Sequence, residues 1–213
     1  MADLKTLLDI SSRDHNHICP RQILGVRLGL FGMRWIGFNE PPSQKRLLTI
    51  VETDGCFADG ISAATGCTVG HRTLRVEDYG KIAGVFVDAE TGQAVRVAPA
   101  LDIREKAYEY APGEPRHYFA QMLAYASMPD QVMFIAYPVT LNKPVATIVS
   151  RAGARVNCAR CGEEIINERE IRRGELILCH ACAEGAYYSR CVSTDPGLLT
   201  EPEIMIPSLA NHG

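Results

Sequence analysis

The sequence predicts an α+β core with a mixed or antiparallel sheet and packed helices, followed by a small C-terminal domain rich in cysteine. Apolar residues recur at helical spacing between Pro20 and Ile36, whereas segments 46–52 and 73–98 have the sequence pattern of strands. Two Cys-x-x-Cys pairs follow residue 157. With 213 residues, the chain has room for one sizeable core and an appendage, but not for two large domains.

Two helices are predicted at the start of the chain, on either side of the segment HNHICP. The first lies within residues 1–13 and is short and amphipathic. The second begins at Pro20, which suits a first helical position and leaves Cys19 near the N-cap. A stripe of glycines follows this second helix, at positions 25, 29 and 32. Because glycine in a helix costs about 1 kcal/mol relative to alanine, we expect another backbone to approach closely there.

The remaining core elements alternate between strands and helices. The strand RLLTIVE leads to Asp54 and Cys56, and Asp54 can cap a short helix over residues 56–64 that Gly66 ends. A strand at 74–77 and a hairpin around ETGQ are expected next. Helices over 101–110 and 115–127 and a last strand or two within QVMFIAYPVTL complete the predicted core.

The domain boundary is predicted between Asn142 and Arg155, where the apolar periodicity of the core ends. We therefore expect the core over residues 1–145 and the cysteine-rich domain over 146–192. Prolines and polar residues dominate after that, which favours an extended C-terminal arm over 193–213.

Composition and charge are those of an ordinary globular protein, with 46% hydrophobic residues and a formal net charge of -3. This balance gives no bulk electrostatic attraction to nucleic acid or to a membrane. The N-terminal residues lack the basic start and apolar run of a signal peptide, and no stretch is apolar enough to span a bilayer. We expect a cytoplasmic protein whose cysteines are reduced.

The cysteine-rich domain has the pattern C-x2-C-x17-C-x2-C, formed by Cys158, Cys161, Cys179 and Cys182. This spacing indicates a four-thiolate structural zinc site in a small zinc finger. Two disulfides or two redox-active pairs are the alternatives, but neither explains two matched pairs in a reducing compartment. His180 and Cys191 are further possible ligands, although four sulfurs already complete a tetrahedron.

The surface of the finger carries arginines that alternate with glutamates, so the sequence predicts no continuous basic face. Contact with a protein partner is therefore favoured for the finger, and nucleic acid binding is only weakly supported.

A second metal site is predicted in the core, with one coordination position left open. Its preferred ligands are Cys56, His17 and Cys19, followed by His15 and Cys67. Cys19 and Cys56 both fall at predicted helix N-termini, where the helix dipole favours a thiolate of lowered pKa. Asp14 and Asp54 could orient an imidazole or a bound water there. The alternative is that the thiols are small buried residues and the histidines are solvated loop residues.

The segment EDYGK adds Tyr79 and Lys81, which could donate protons or bind an anion, or could only close the end of a strand. They are the candidate catalytic residues. No phosphate-binding loop, nucleophile elbow or dinucleotide-binding fingerprint accompanies them.

Taken in order, HNHICP, DGCFADGISAATGCTVG and EDYGK resemble the FmdE family, named for the E subunit of formylmethanofuran dehydrogenase. The segments CARCGEEI and LCHACA resemble the four-cysteine zinc finger of DksA/TraR-type proteins. The FmdE resemblance implies a FwdE/GAPDH-like core, an intertwined homodimer, and a metal pocket carried here by His17, Cys19 and Cys56, with Lys81 as a pocket candidate. This chain has Asn16 and Arg21 where the family motif often has glycine.

Together, the resemblance and the cysteine spacing predict a metal-binding accessory protein related to the E subunit of formylmethanofuran dehydrogenase, with structural zinc in the finger and a second metal ion in the core, for which zinc is favoured. Two alternatives use the same residues. One is a metal-sensing regulator that contacts transcription machinery, RNA or protein through the finger. The other is a zinc-dependent hydrolase or deformylase, in which the open site would generate hydroxide.

Overall fold

The computed structural model describes residues 3–13, 15 and 17–189 of the chain. It divides into two compact units, Met1–Ala146 and Thr147–Gly213. Asp14, Cys191 and the arm predicted over 193–213 lie outside the described residues.

The first unit combines helices with one sheet. In chain order, its elements are α1 (Leu4–Ser11), α2 (Pro20–Trp35), β1 (Leu47–Val51), α3 (Cys56–Thr65), β2 (Leu74–Val76), β3 (Gly84–Asp88), β4 (Ala94–Pro99), α4 (Ile103–Tyr110), α5 (His117–Ser127), α6 (Asp130–Met133) and β5 (Phe134–Pro138). The short helix α7 (Val145–Val149) spans the division between the units. The fold class is therefore α+β, as the sequence predicts.

The five strands form one mixed sheet in the order β2-β1-β3-β4-β5. β1 is parallel to β2 and antiparallel to β3, and the remaining pairs are antiparallel. A parallel pair needs a crossover connection, which α3 supplies between β1 and β2. The antiparallel pairing of β3 with β4 confirms the hairpin predicted around ETGQ.

The beginning of the last predicted strand is helical instead. Residues 131–133 belong to α6, because the amides of Val132 and Met133 both donate to the carbonyl of Pro129. Asp130 in this turn accepts hydrogen bonds from Arg27 and Arg34 of α2. Charge pairing with a distant helix therefore stabilises a turn that the local apolar pattern does not indicate.

Helices α2 and α3 lie close together because each helix has glycines that face the backbone of the other. A Cβ added to Gly25 would lie 2.2 Å from the carbonyl oxygen of Phe57, and one added to Gly60 would lie 2.4 Å from that of Gln22. These distances leave no room for a side chain and confirm the close backbone approach predicted for this stripe. Gly32 differs from the prediction, because its neighbour is the ring of Phe86 rather than a backbone.

The direction of the two helices follows from the same contacts. Gly25 meets Phe57 and Gly60, and one turn later Gly29 meets Ile61 and Ala64. Because the contacts move toward the C-terminus of both helices together, α2 and α3 run parallel. Their N-termini therefore lie at the same end of the pair.

The second unit consists of two hairpins and a short helix. β6 (Arg155–Asn157) pairs with β7 (Glu164–Ile166), β8 (Ile171–Arg173) pairs with β9 (Leu176–Leu178), and α8 (His180–Glu184) follows. Among the described residues, its buried apolar cluster consists of Cys158, Ile165 and Leu178. So small a core contributes little free energy of folding, and a domain of this kind ordinarily depends on a metal or a disulfide.

Within the part of the chain that the structure describes, no helix has both the length and the apolar character needed to cross a bilayer.

Candidate functional site

The four cysteines of the second unit form a cluster that could hold a metal ion. The sulfur atoms of Cys158, Cys161, Cys179 and Cys182 all lie within 4.8 Å of one another. The sulfurs of Cys161 and Cys179 are 3.9 Å apart. The structure thus brings together the four residues that the spacing predicts, and His180 is not one of the group, since its ring contacts Glu184 at 3.0 Å.

The backbone around each pair directs its sulfurs inward. In the first turn, the Gly162 amide donates to the carbonyl of Cys158 at 2.9 Å, and Gly162 has a φ of 76°, which glycine adopts without strain. In the second, Cys179 is the N-cap of α8, and its sulfur accepts from the amide of Cys182 at 3.4 Å. The Cys179 amide in turn donates to the sulfur of Cys158 at 3.3 Å, which joins the two turns.

The electrostatics of this cluster fit a cation. Although burial opposes the effect, backbone amides that include those of Cys161 and Cys179 lower the pKa of the Cys158 thiol to about 6. Burial and the neighbouring sulfurs raise the pKa of the Cys182 thiol to about 12. Four sulfurs in this volume cannot all carry negative charge by themselves, so a bound divalent ion is the species that would let all four act as thiolates.

In the core, two thiols from distant parts of the sequence become neighbours. Cys19 is the N-cap of α2 and Cys56 is the first residue of α3. Because the two helices are parallel and in contact, both thiols lie at the same helical end, and both are half-buried. The location of both thiols at helix N-termini agrees with the sequence prediction.

The pKa of Cys56 departs from the sequence prediction. Burial, followed by interaction with the Cys19 thiol, raises the pKa of Cys56, and the positive charge of Arg21 only partly opposes this. The prediction of a lowered pKa considered the dipole and the free N–H groups of the helix N-terminus, and it is wrong for Cys56 because desolvation and the second thiol outweigh both.

Tyr118 of α5 is a third member of this site that the sequence did not indicate. Its hydroxyl donates to the carbonyl oxygen of Ile18 at 3.2 Å. Burial and the charges of Cys19 and Cys56 raise the pKa of Tyr118. No local pattern could have revealed this residue, because its position results from the packing of α5 against α2.

The two histidines of the segment HNHICP occupy different environments. The Nε2 atom of His15 lies 2.9 Å from Oδ2 of Asp59 on α3. The ring of His17 is exposed and has no hydrogen-bond partner among the described residues. Of the residues that the structure describes, the core thiols do not form a group with either histidine in which all ligand atoms lie within 4.8 Å.

Cys67 lies in the buried core rather than at an open position. Its sulfur accepts from the hydroxyl of Thr49 at 3.4 Å and contacts the carbonyl oxygen of Leu47 at the same distance. Burial raises the pKa of this thiol. These contacts favour the alternative interpretation of Cys67 as a small buried residue.

The candidate catalytic residues Tyr79 and Lys81 lie in an exposed loop next to the end of β1. Their backbone amides both donate to the carbonyl oxygen of Glu52, at 3.0 and 3.1 Å. The side chain of Glu52 is buried and forms a two-point ion pair with Arg96 of β4, at 2.6 and 2.7 Å. Glu52 therefore fixes the loop 77–81 to the strand that leads into Cys56.

Comparison with known proteins finds relatives by sequence and by structure. Over 97 residues the chain is 38% identical to a "Probable S-adenosyl-L-methionine-binding protein" of Archaeoglobus fulgidus, an alignment that covers 44% of this chain and 26% of the relative. The chain thus spans about a quarter of the length of that relative. Among solved structures, a protein from Syntrophus aciditrophicus that is described as like the FmdE component of tungsten formylmethanofuran dehydrogenase has a TM-score of 0.57 and 21% identity, covering 88% of this chain and 96% of that one.

Because its sequence identity is only 21%, the structural match shows a shared fold and nothing beyond the fold. A sequence model of one protein family, described as "FmdE, Molybdenum formylmethanofuran dehydrogenase operon", matches residues 15–135. That range is more than half of the chain and includes HNHICP, Cys56, Tyr118 and the loop 77–81. The chain belongs to the FmdE family.

Proposed function

We propose that this protein is a metal-binding accessory protein related to the E subunit of formylmethanofuran dehydrogenase, with one metal ion in the core and a structural zinc ion in the finger. The convergence of Cys19 and Cys56 at the N-termini of two parallel helices is the observation that carries the proposal for the core. Thiols 37 positions apart in sequence do not meet at one helical end by local structure alone.

In the second unit, the proposed ion is zinc. Four sulfur ligands in a compact group match the tetrahedral coordination of structural zinc, which leaves no position for substrate. The unit would then be a DksA/TraR-like finger that acts as a scaffold or a contact surface.

In the core, the proposed ligands are Cys19, Cys56 and His17. The exposed ring of His17 is free to turn toward the thiols, and three protein ligands would leave a fourth position open for water or a small molecule. Zinc suits this mixture of sulfur and imidazole ligands. Tyr79 and Lys81, held beside β1 through Glu52, are the proposed residues for binding an anion at the same end of the helices.

The role proposed here is accessory, in metal handling or in the biology of molybdenum or tungsten enzymes. Binding of S-adenosylmethionine is not part of it, because that name belongs to a relative of which this chain matches only 26%. A cytoplasmic location accompanies the proposal, since both sites require reduced thiols.

For partners, we propose a homodimer, intertwined as the family resemblance implies, and a protein contact at the finger. Large apolar side chains are exposed on the first unit, among them Leu101, Leu123 and Ile135. In the finger, Arg155 pairs with Glu164 and Arg172 pairs with Glu170, which neutralises part of its positive charge and favours a protein over nucleic acid. A sedimentation mass of about 23.4 kDa, that of one chain, would contradict the dimer.

The test of the core site is metal analysis of the purified protein. We expect two ions per chain in the wild type and one ion in the double variant Cys19→Ser/Cys56→Ser. Cys67→Ala serves as the matched control, because it removes a core thiol that lies among buried residues, and it should retain two ions. One ion per wild-type chain, with no change in the double variant, would overturn the core site while leaving the finger site intact.

A further inference from the structure

The segment that carries His17 and Cys19 is attached to three other parts of the first unit. At its end, the amide of Cys19 donates to the side-chain oxygen of Gln22 at 2.9 Å, and the carbonyl of Ile18 accepts from Tyr118 at 3.2 Å. Near its start, His15 contacts Asp59 at 2.9 Å. The first two contacts hold the backbone next to Cys19, whereas the third holds the part of the segment before His17.

Asp59 is placed to link this segment to the second thiol. It lies three residues after Cys56 on α3, a spacing that puts both side chains on the same face of the helix. This hydrogen bond therefore connects the segment carrying His17 and Cys19 to the helix that begins with Cys56. Both partners are partly exposed, with 31% of the His15 side chain and 49% of the Asp59 side chain accessible.

We propose that Asp59 is a positioning residue of the core metal site, which acts through His15 to hold His17 and Cys19 near the N-terminus of α3. The inference rests on the proposed core site and adds a residue to it. A carboxylate bound to one ring nitrogen fixes the orientation of that imidazole, and because His15 lies two residues before His17, the contact restrains the chain on that side of His17.

A second histidine–carboxylate pair in the chain provides a matched control. His180 contacts Glu184 at 3.0 Å, nearly the distance of the His15–Asp59 contact, but both residues lie on the single helix α8. That pair cannot join two segments. Removing it should change neither the core site nor the hydrogen exchange of residues 17–19.

The experiment uses the full chain, stripped of metal and titrated with Zn²⁺ against a competing chelator. For Asp59→Ala, the number of ions at saturation should stay at two, while the affinity of the core site falls about tenfold. Asp59→Glu should restore most of the affinity, and Glu184→Ala should match the wild type. With Co²⁺ in place of Zn²⁺, the thiolate-to-cobalt absorption of the core site should change in Asp59→Ala and return in Asp59→Glu, which a general loss of stability would not produce.

Amide hydrogen exchange of the metal-free protein tests the Asp59–His15 link independently of whether the core binds a metal. Exchange at residues 17–19 should be faster in Asp59→Ala than in the wild type and Glu184→Ala. If the wild type binds one ion only, the core site fails, and faster exchange in Asp59→Ala still supports the link. Wild-type affinity, absorption and exchange in Asp59→Ala would overturn the inference.

Discussion

The two groups of cysteines in this chain are assembled in different ways. The four cysteines of the second unit lie within 25 consecutive residues, and hydrogen bonds within each turn direct their sulfurs toward one point. Cys19 and Cys56 meet because two parallel helices are in contact through glycines, within a sheet-backed core. We therefore expect the second unit to depend on a bound metal for its structure, whereas the core is folded by its own packing and would only add a metal to it.

Removing the finger metal is expected to have the largest effect. In Cys161→Ser, or after chelation, the second unit should unfold, because binding contributes about 10 to 16 kcal/mol in isolated zinc fingers and the apolar cluster around Ile165 is small. The fluorescence of Trp35, the single tryptophan of the chain, should stay native because it reports the first unit.

Limited proteolysis measures this difference, with new cleavage sites expected within residues 155–185 only. His180→Ala is the control, since His180 lies outside the cysteine group. A protease pattern that is the same before and after chelation would contradict the expected difference in metal dependence between the two units.

The next largest effect is expected from changing the contact between α2 and α3. Gly25→Ala should destabilise the first unit by about 1 to 3 kcal/mol, because the added methyl group would lie 2.2 Å from the carbonyl oxygen of Phe57. The same change should weaken metal binding at the core, since it separates the helices that carry Cys19 and Cys56. Urea unfolding followed by Trp35 fluorescence gives the loss of stability.

Gly70→Ala is the control for that experiment, because among the described residues no atom beyond the adjacent residues lies within 4 Å of a Cβ added at Gly70. Equal stability of Gly25→Ala and the wild type would show that the two thiols are brought together by something other than this contact.

A smaller effect concerns an ion pair of the first unit. Hydrogen bonds from Arg46 lower the pKa of the buried Asp88 to about 2. Since an unfolded aspartate has a pKa near 3.9, the pair stabilises the fold fully above pH of about 4, and this contribution is lost as pH falls toward 2. Because Arg46 is partly exposed, we expect a loss of about 1 kcal/mol for Asp88→Asn at pH 7.

Urea unfolding at pH 7 and pH 3, followed by Trp35 fluorescence, tests that pair without interference from the finger. Asp88→Asn should lose less stability than the wild type between the two pH values. Asp9→Asn on α1 should follow the wild type. Identical pH dependence in Asp88→Asn and the wild type would contradict the assignment.

The contrast between the two groups also explains what the sequence could predict. The clustering of the four cysteines in the second unit and the start of α2 at Pro20 follow from spacing and capping over a few residues. The close approach at Gly25 was predictable because its unfavourable helix propensity needs a compensating contact. Tyr118, Asp59 and the Glu52–Arg96 pair could not be predicted, since each acts across elements that only the folded chain brings together.

The pKa of Cys56 is another property that could not be predicted from the sequence. Its position at a helix N-terminus is evident from sequence, and it predicts a lower pKa. The burial and the neighbouring Cys19 that raise the pKa instead depend on the tertiary structure. Cys67 likewise resembles Cys56 in local sequence, but its surroundings are Thr49 and Leu47.

The glycine contact between α2 and α3 also sets the register in which the core thiols meet. A slip of one helical turn would shift Cys19 by about 5.4 Å relative to Cys56, which is more than twice the length of a zinc–sulfur bond. The alternate register would also place side chains where Gly25 and Gly60 now admit a backbone carbonyl. The same glycine contacts thus determine both how the two helices pack and how the two thiols are aligned. Insertions or deletions within α2 or α3 should therefore disrupt the fold of the core and the proposed core metal site together.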